Sequence, residues 1–235
     1  MSQITLPGDP PIPVVLRRSA RARRISLRVS QLDGRVTLTL PRRVSEREAL
    51  SFAREKQSWI RRHLEARGED VQIGPGSVIP IAGEPHEIRS GSGRRVVFTE
   101  GQVRVPGDPE RIGRRLAGHL RELARVRLAE ASDFYAERLG RPYSAITLRD
   151  TRSRWGSCTS EGRLMYSWRL IMAPPGVLEY VAAHEVAHLA QMNHSAAFWA
   201  GVERIYGEYD APRRWLRTSG GELHRYRFTD KGRTS

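Results

Sequence analysis

Val177-Leu-Glu-Tyr-Val-Ala-Ala-His184-Glu185-Val186-Ala187-His188-Leu-Ala-Gln191 follows Pro174-Pro175-Gly176 and reads as one continuous helix. His184 and His188 stand four residues apart, so on a helix their side chains lie one above the other, with Cβ atoms about 6 Å apart. Two imidazoles in that register can converge on a single metal ion. Glu185, one step along, projects beside the pair, where it can accept a proton from water without itself being a ligand. A catalytic zinc keeps three protein ligands and one open position, so this H-E-x-x-H stretch calls for a third donor.

His194, six residues after His188, is the expected third ligand. Gln191-Met192-Asn193 reads as the helix stop, with Asn193 in the left-handed conformation that turns the chain back. The spacing is that of metzincins, with Gln191 where they carry glycine, so a different turn is expected there. Ser195 reads as the N-cap of the next helix, which buries Phe198, Trp199, Val202 and Ile205. A chance H-E-x-x-H turns up in roughly one or two chains per hundred of this length, and a further histidine at one chosen position lowers that about thirtyfold. The competing reading is a core helix whose histidines are satisfied internally. Three of the seven histidines within eleven residues, beside a helix stop, weigh against it.

Outward from this segment, Asp108-Pro109-Glu110 reads as a helix start, and Ile112, Leu116, Leu120, Leu123, Val126 and Leu128 recur at helical spacing towards Gly140. Ala145–Leu148 reads as a strand, and residues 154–170 as a hairpin turning near Ser160-Glu-Gly162. In the first half, Ile25–Val29 and Val36–Leu40 alternate around Leu32-Asp-Gly34, a β-hairpin pattern. Ser45-Glu-Arg-Glu48 is a capping box opening a helix to about Ala66. Short strands are expected at Val78–Ile81, His86–Ile88, Val96–Phe98 and Val103–Val105. The predicted fold class is α+β, divided into a loose leader (1–13), a β-rich region with one helix (14–107), a core containing the long helix and the metal helix on a small sheet (108–224), and a basic tail (225–235).

The chain has 235 residues, with 40 Lys+Arg against 26 Asp+Glu, a net charge of +14 and one cysteine. A single cysteine, Cys158, excludes an internal disulfide framework. No apolar run approaches the roughly 18 residues of a membrane helix, and the amino terminus carries no secretory signal, so a soluble cytoplasmic protein is expected. The basic excess points to a polyanionic partner, nucleic acid or nucleotide. Only Lys56 and Lys231 among the basic residues are lysines, however, and an arginine-rich composition explains the charge equally well.

Arg154-Trp-Gly-Ser-Cys158, Ser167-Trp-Arg-Leu170, Tyr180 to His188, Asn193-His-Ser-Ala-Ala-Phe-Trp199 and the earlier Arg21-Ala-Arg-Arg-Ile-Ser-Leu-Arg-Val29 together resemble the YgjP-like predicted zinc metallopeptidases, relatives of the SprT-like group. The likeness spans roughly residues 15 to 225. It implies a zincin-like core holding one Zn2+ per chain on His184, His188 and His194, with Glu185 as catalytic base and a peptide or protein as substrate. It names no natural substrate.

Around this site Trp155, Gly156 and Ser157 are candidates for substrate binding, since a strand beside a zinc cleft can pair with extended peptide. Simple packing by Trp155 is the alternative. Cys158 is either an inhibitory fourth ligand or a structural thiol. Tyr166, Arg152, Arg154 and His224 are the candidate stabilisers of developing negative charge, while a carboxylate or carbonyl should accept from each ligand's second nitrogen, with Glu203 and Glu179 as candidates. His63, His86 and His119 read as surface or packing residues. Arg213 to Arg217 and Arg225-Tyr-Arg227 interleave arginine with aromatics, which suits either a solvated face or a nucleic-acid contact. Two other functions stay open: a metal-dependent nucleotide phosphoanhydride hydrolase, and a non-catalytic nucleic-acid-binding protein with structural zinc.

Overall fold

The structure is a computed structural model that describes residues 2–30, 34–65 and 68–229. It is a mixed α+β chain dividing into two compact units, Met1–Glu69 and Asp70–Ser235.

The first unit is a four-stranded sheet with two helices. Strands β1 (Ser2–Leu6), β2 (Ile12–Arg18), β3 (Ser26–Val29) and β4 (Val36–Leu40) lie in the order β1-β2-β4-β3. The expected hairpin is present as antiparallel β3 and β4, with Val29 opposite Val36, while residues 31–33 of its Leu32-Asp-Gly34 turn lie outside the described residues. The loose leader expected over residues 1–13 is instead the edge strand β1 and the start of β2, because Leu6, Ile12, Val14 and Leu16 alternate into the core. The capping box forms as read: the Ser45 hydroxyl accepts from the Glu48 amide and the Glu48 carboxylate accepts from the Ser45 amide. The single helix expected to Ala66 is broken at Lys56 into α1 (Glu46–Glu55) and α2 (Gln57–Glu65), and Ala66 lies outside the described residues.

The second unit carries the site. Strands β5 (Val71–Gln72), β6 (Val78–Ile81), β7 (Glu84–Gly91), β8 (Val97–Thr99) and β9 (Gln102–Pro106) belong to it, so the boundary falls at residue 69 rather than at the 107 expected from composition. Their buried residues Ile79, Ile88, Val103 and Val105 share one apolar cluster with the helices that follow, which is why they group there.

After a 3-10 turn at Pro109–Arg111 comes α3 (Ile112–Leu139), ended by Gly140 at φ 73°, a left-handed position glycine fills without a Cβ penalty. Strands β10 (Ala145–Arg149), β11 (Gly156–Cys158) and β12 (Arg163–Ser167) make a three-stranded sheet in the order β10-β12-β11. Among the described residues β11 pairs with β12 alone and is therefore an edge. Then follow a 3-10 segment at Trp168–Met172 and helices α4 (Pro175–Ala187), α5 (Ala196–Tyr206) and α6 (Asp210–Thr218).

Helix α4 packs against α3, α5, α6 and β11. Valines and alanines surround it on nearly every side, the pattern of a central helix, and Glu185 is the one charged residue among its buried positions. The tail expected over residues 225–235 begins inside the core: Tyr226–Arg227 form β13, parallel to β5, and Phe228 is buried against Trp168. Residues 230–235 lie outside the described residues. No described helix is long and apolar enough to cross a membrane.

Candidate functional site

The helix holding the motif is shorter than its periodicity suggested. Helix α4 ends at Ala187, and the chain leaves through tight turns in which Leu189 donates to Val186 and Ala190 to Ala187. Asn193 does not adopt the left-handed conformation, since Ala82 is the only non-glycine with positive φ among the described residues. The return is made instead by the turns after His188 and by the Asn193 side chain, whose Oδ1 accepts from the Ser195 amide at 3.3 Å. Ser195 then caps α5, its hydroxyl accepting from the Phe198 amide.

This turn brings His194 back over the helix. One ligand atom from each of His184, His188 and His194 lies within 4.8 Å of the others. The Nε2 atoms of His184 and His194 are 3.1 Å apart. Two donors at tetrahedral positions 2.0–2.1 Å from zinc stand about 3.3 Å apart, so this spacing fits a shared ion. His188 Nδ1 lies 3.0 Å from the Gln191 carbonyl, which can only accept, so Nδ1 carries the proton and Nε2 keeps its lone pair. Burial, reinforced by the neighbouring histidines, pushes His184 down to about 3, leaving the ring neutral at physiological pH. Its Nδ1 is buried and finds no partner among the described residues. Three converging imidazoles, one carrying an orphaned nitrogen, are the donor set of a borderline-soft divalent ion.

Glu185 sits beside this cluster. Burial pushes its carboxyl up to about 8, and the Arg154 guanidinium works in the opposite direction. Its place depends on Gly156: a Cβ there would stand 2.5 Å from Glu185 Cγ and Oε1. The surrounding cleft, of about 450 Å³, is lined by Ser153, Arg154, Gly156–Cys158, Met192 and the motif residues. The edge strand β11 forms one of its walls.

The remaining expected residues separate. Gly156 and Ser157 line the cleft, whereas Trp155 is turned away, its ring 5.1 Å from His224 and packed on Gly220. Cys158 lines the cleft, but its Sγ donates to the Thr159 carbonyl, and burial followed by the charge of Glu185 pushes the thiol up to about 11. It stands outside the three-donor cluster.

Of the four candidate stabilisers, Tyr166 is buried against Ser132, Arg152 lines a separate cavity and His224 is packed in the core, so Arg154 alone reaches the cleft. Glu179 lines another pocket and Glu203 is exposed; the acceptor actually found for His188 is the Gln191 carbonyl. Which backbone carbonyl accepts, and the clearance at Gly156, carry no sequence signature. His63 bonds the Trp59 carbonyl and His119 stacks on Phe98, as packing residues do. Arg213 lies 4.5 Å over the Trp199 ring.

Comparison with curated proteins found none that matches. Among solved structures, the crystal structure of the metallopeptidase zymogen of Pyrococcus abyssi abylysin is similar at 18% identity, covering 40% of this chain and 95% of that chain with a TM-score of 0.36. The family model described as YgjP-like, metallopeptidase domain, matches residues 23–219. The chain therefore belongs to the YgjP-like metallopeptidase-domain family.

Proposed function

We propose that this protein is a zinc-dependent peptidase in which His184, His188 and His194 hold the metal and Glu185 is the general base. The observation that carries the reading is the convergence of three imidazole donors beside a buried carboxylate in an open cleft. Zinc held there supplies Lewis acidity towards an amide carbonyl and activates water near neutral pH.

The chain's own residues account for the remainder. Strand β11 offers the free edge of Gly156–Cys158 to an extended peptide, which pairs with it by main-chain hydrogen bonds and lies across the cleft. Glu185 takes a proton from the attacking water and returns it to the leaving amine. Its buried position favours the neutral acid, and any cation held by the adjacent imidazoles favours the carboxylate, so base strength is set by those two opposing effects. Arg154, at the mouth, is the side chain available to the developing oxyanion.

Peptide is favoured over nucleotide because Arg154 is the single arginine among the described lining residues, whereas a phosphate clamp draws on several. Cytoplasmic location and one zinc per chain are part of the same proposal. The test is elemental analysis of wild type, Glu185→Gln and His194→Ala alongside cleavage of an unfolded protein substrate. The expected result is about one zinc in the first two, loss in the third, and cleavage by wild type alone. Full zinc retention in His194→Ala would refute the ligand set.

A further inference from the structure

A second polar cavity, of about 140 Å³, adjoins the loop that follows β10, and the proposed peptidase chemistry makes no use of it. Arg114 and Arg121 reach it from α3, two turns apart on one face, with the small Ala117 between them leaving room. Arg152, Arg169 and Arg227 line it from three other segments. Asp150 is the only carboxylate among the described lining residues, and Arg169 already engages both of its oxygens, at 2.6 and 3.2 Å. Arg227 is turned to Asp70. Among the described residues Arg114 and Arg121 have no carboxylate within ion-pair distance.

One residue of the cavity wall carries a donor without an acceptor. Trp168 is 1% exposed and lines the cavity, and its indole N–H has no hydrogen-bond partner among the described residues. An unsatisfied buried donor costs about 1–3 kcal/mol, and gathering guanidinium groups adds charge repulsion. The repulsion is relieved by a ligand that is negative and offers several acceptor oxygens. The volume leaves room for a tetrahedral ion.

We propose that this cavity binds a single phosphate-type oxyanion, either inorganic phosphate or the terminal phosphate of a nucleotide, through Arg114 and Arg121. The site is independent of the peptidase reading. His224 reports on it: burial, then the charge of Arg169, holds this ring down to about 4, with Arg152 and Arg227 adding to the effect and Asp150 opposing it. An anion in the cavity weakens that positive field and moves the His224 titration upward.

The experiment is calorimetric titration of the full chain with inorganic phosphate, and separately with ADP, at constant ionic strength. Wild type is compared with Arg114→Gln, Arg121→Gln and Arg141→Gln, the last removing an equal charge after α3. The expected result is one phosphate per chain, weakened about tenfold or more in the first two variants and unchanged in the third. An upward shift of the His224 resonance titration should accompany saturation. Tighter binding of ADP than phosphate identifies the nucleotide as the source; equal binding identifies the free ion. The proposal is overturned by absence of binding at about 10 mM phosphate, by equal binding of acetate, or by equal loss in Arg141→Gln. Heat that survives both Arg114→Gln and Arg121→Gln overturns it as well, since the ion then sits elsewhere, the metal cleft included.

Discussion

Gly156→Ala tests whether β11 and the motif helix are fitted to one another. The added Cβ would lie 2.5 Å from Glu185 Cγ and Oε1 and 2.8 Å from Cδ, against the 3.4 Å at which ordinary contact begins, so something must move by about 0.9 Å. Glu185 is buried on α4 and Gly156 is held by β12, so neither yields freely. Overpacking of this kind costs about 1–3 kcal/mol, which for a unit of this size lowers Tm by about 2–12 °C. Displacing the proposed general base by about 1 Å should cost about a hundredfold in kcat/KM. The histidines are untouched, so zinc content should stay at the wild-type level.

Gly118→Ala is the control, because a Cβ there meets nothing within 4 Å and a helical glycine replaced by alanine gains about 1 kcal/mol. The decisive assay is a double-mutant cycle in urea. In a Glu185→Ala background the atoms that Cβ would strike are gone, and Gly156→Ala should become nearly neutral. An undiminished cost in that background, or wild-type kcat/KM in Gly156→Ala alone, would refute the reasoning.

Three further outcomes are expected. His224 is held down to about 4, so its stabilising effect is complete above the ordinary imidazole pKa of about 6.5 and fades as pH falls from there through 4, where the unfolded chain takes the proton first. Between pH 7 and pH 5, wild type should lose about 2 kcal/mol more than His224→Gln in urea unfolding; equal losses would contradict this. Arg169→Met should cost about 3 kcal/mol by urea unfolding, since the buried guanidinium also donates to the Leu223 and Tyr226 carbonyls at 2.7 and 3.1 Å and both would be left without it. A cost below about 1 kcal/mol would show those carbonyls to be hydrated instead. Zinc at about a thousand times its Kd should stabilise wild type by about 4 kcal/mol over the chelated protein, and by nothing measurable in His194→Ala. Thermal unfolding with and without chelator reads this directly.

Much of this protein is legible locally. The His184–His188 register, the Ser45–Glu48 capping box and the stop at Gly140 depend only on spacing and on what a few side chains do to nearby backbone, so the unfolded sequence already specifies them. The same reasoning fails where partners are distant. Residues 2–6 pass for a leader until β2 is beside them, because an edge strand takes its hydrogen bonds from a neighbour and not from its own composition. Strands β5–β9 sort with the second unit because their apolar faces meet α3 and the segments around it, and pattern alone does not say which core a face will join.

At the site, sequence named the three histidines and Glu185. Tertiary structure alone brought Arg154 to the cleft and kept Tyr166, Arg152 and His224 from it, made the Gln191 carbonyl the acceptor for His188, and left no room for a side chain at Gly156. The physical reason is range. Helical register and capping are set within four residues, whereas burial, clearance and the field felt by a buried carboxyl are summed over every segment that packs against it.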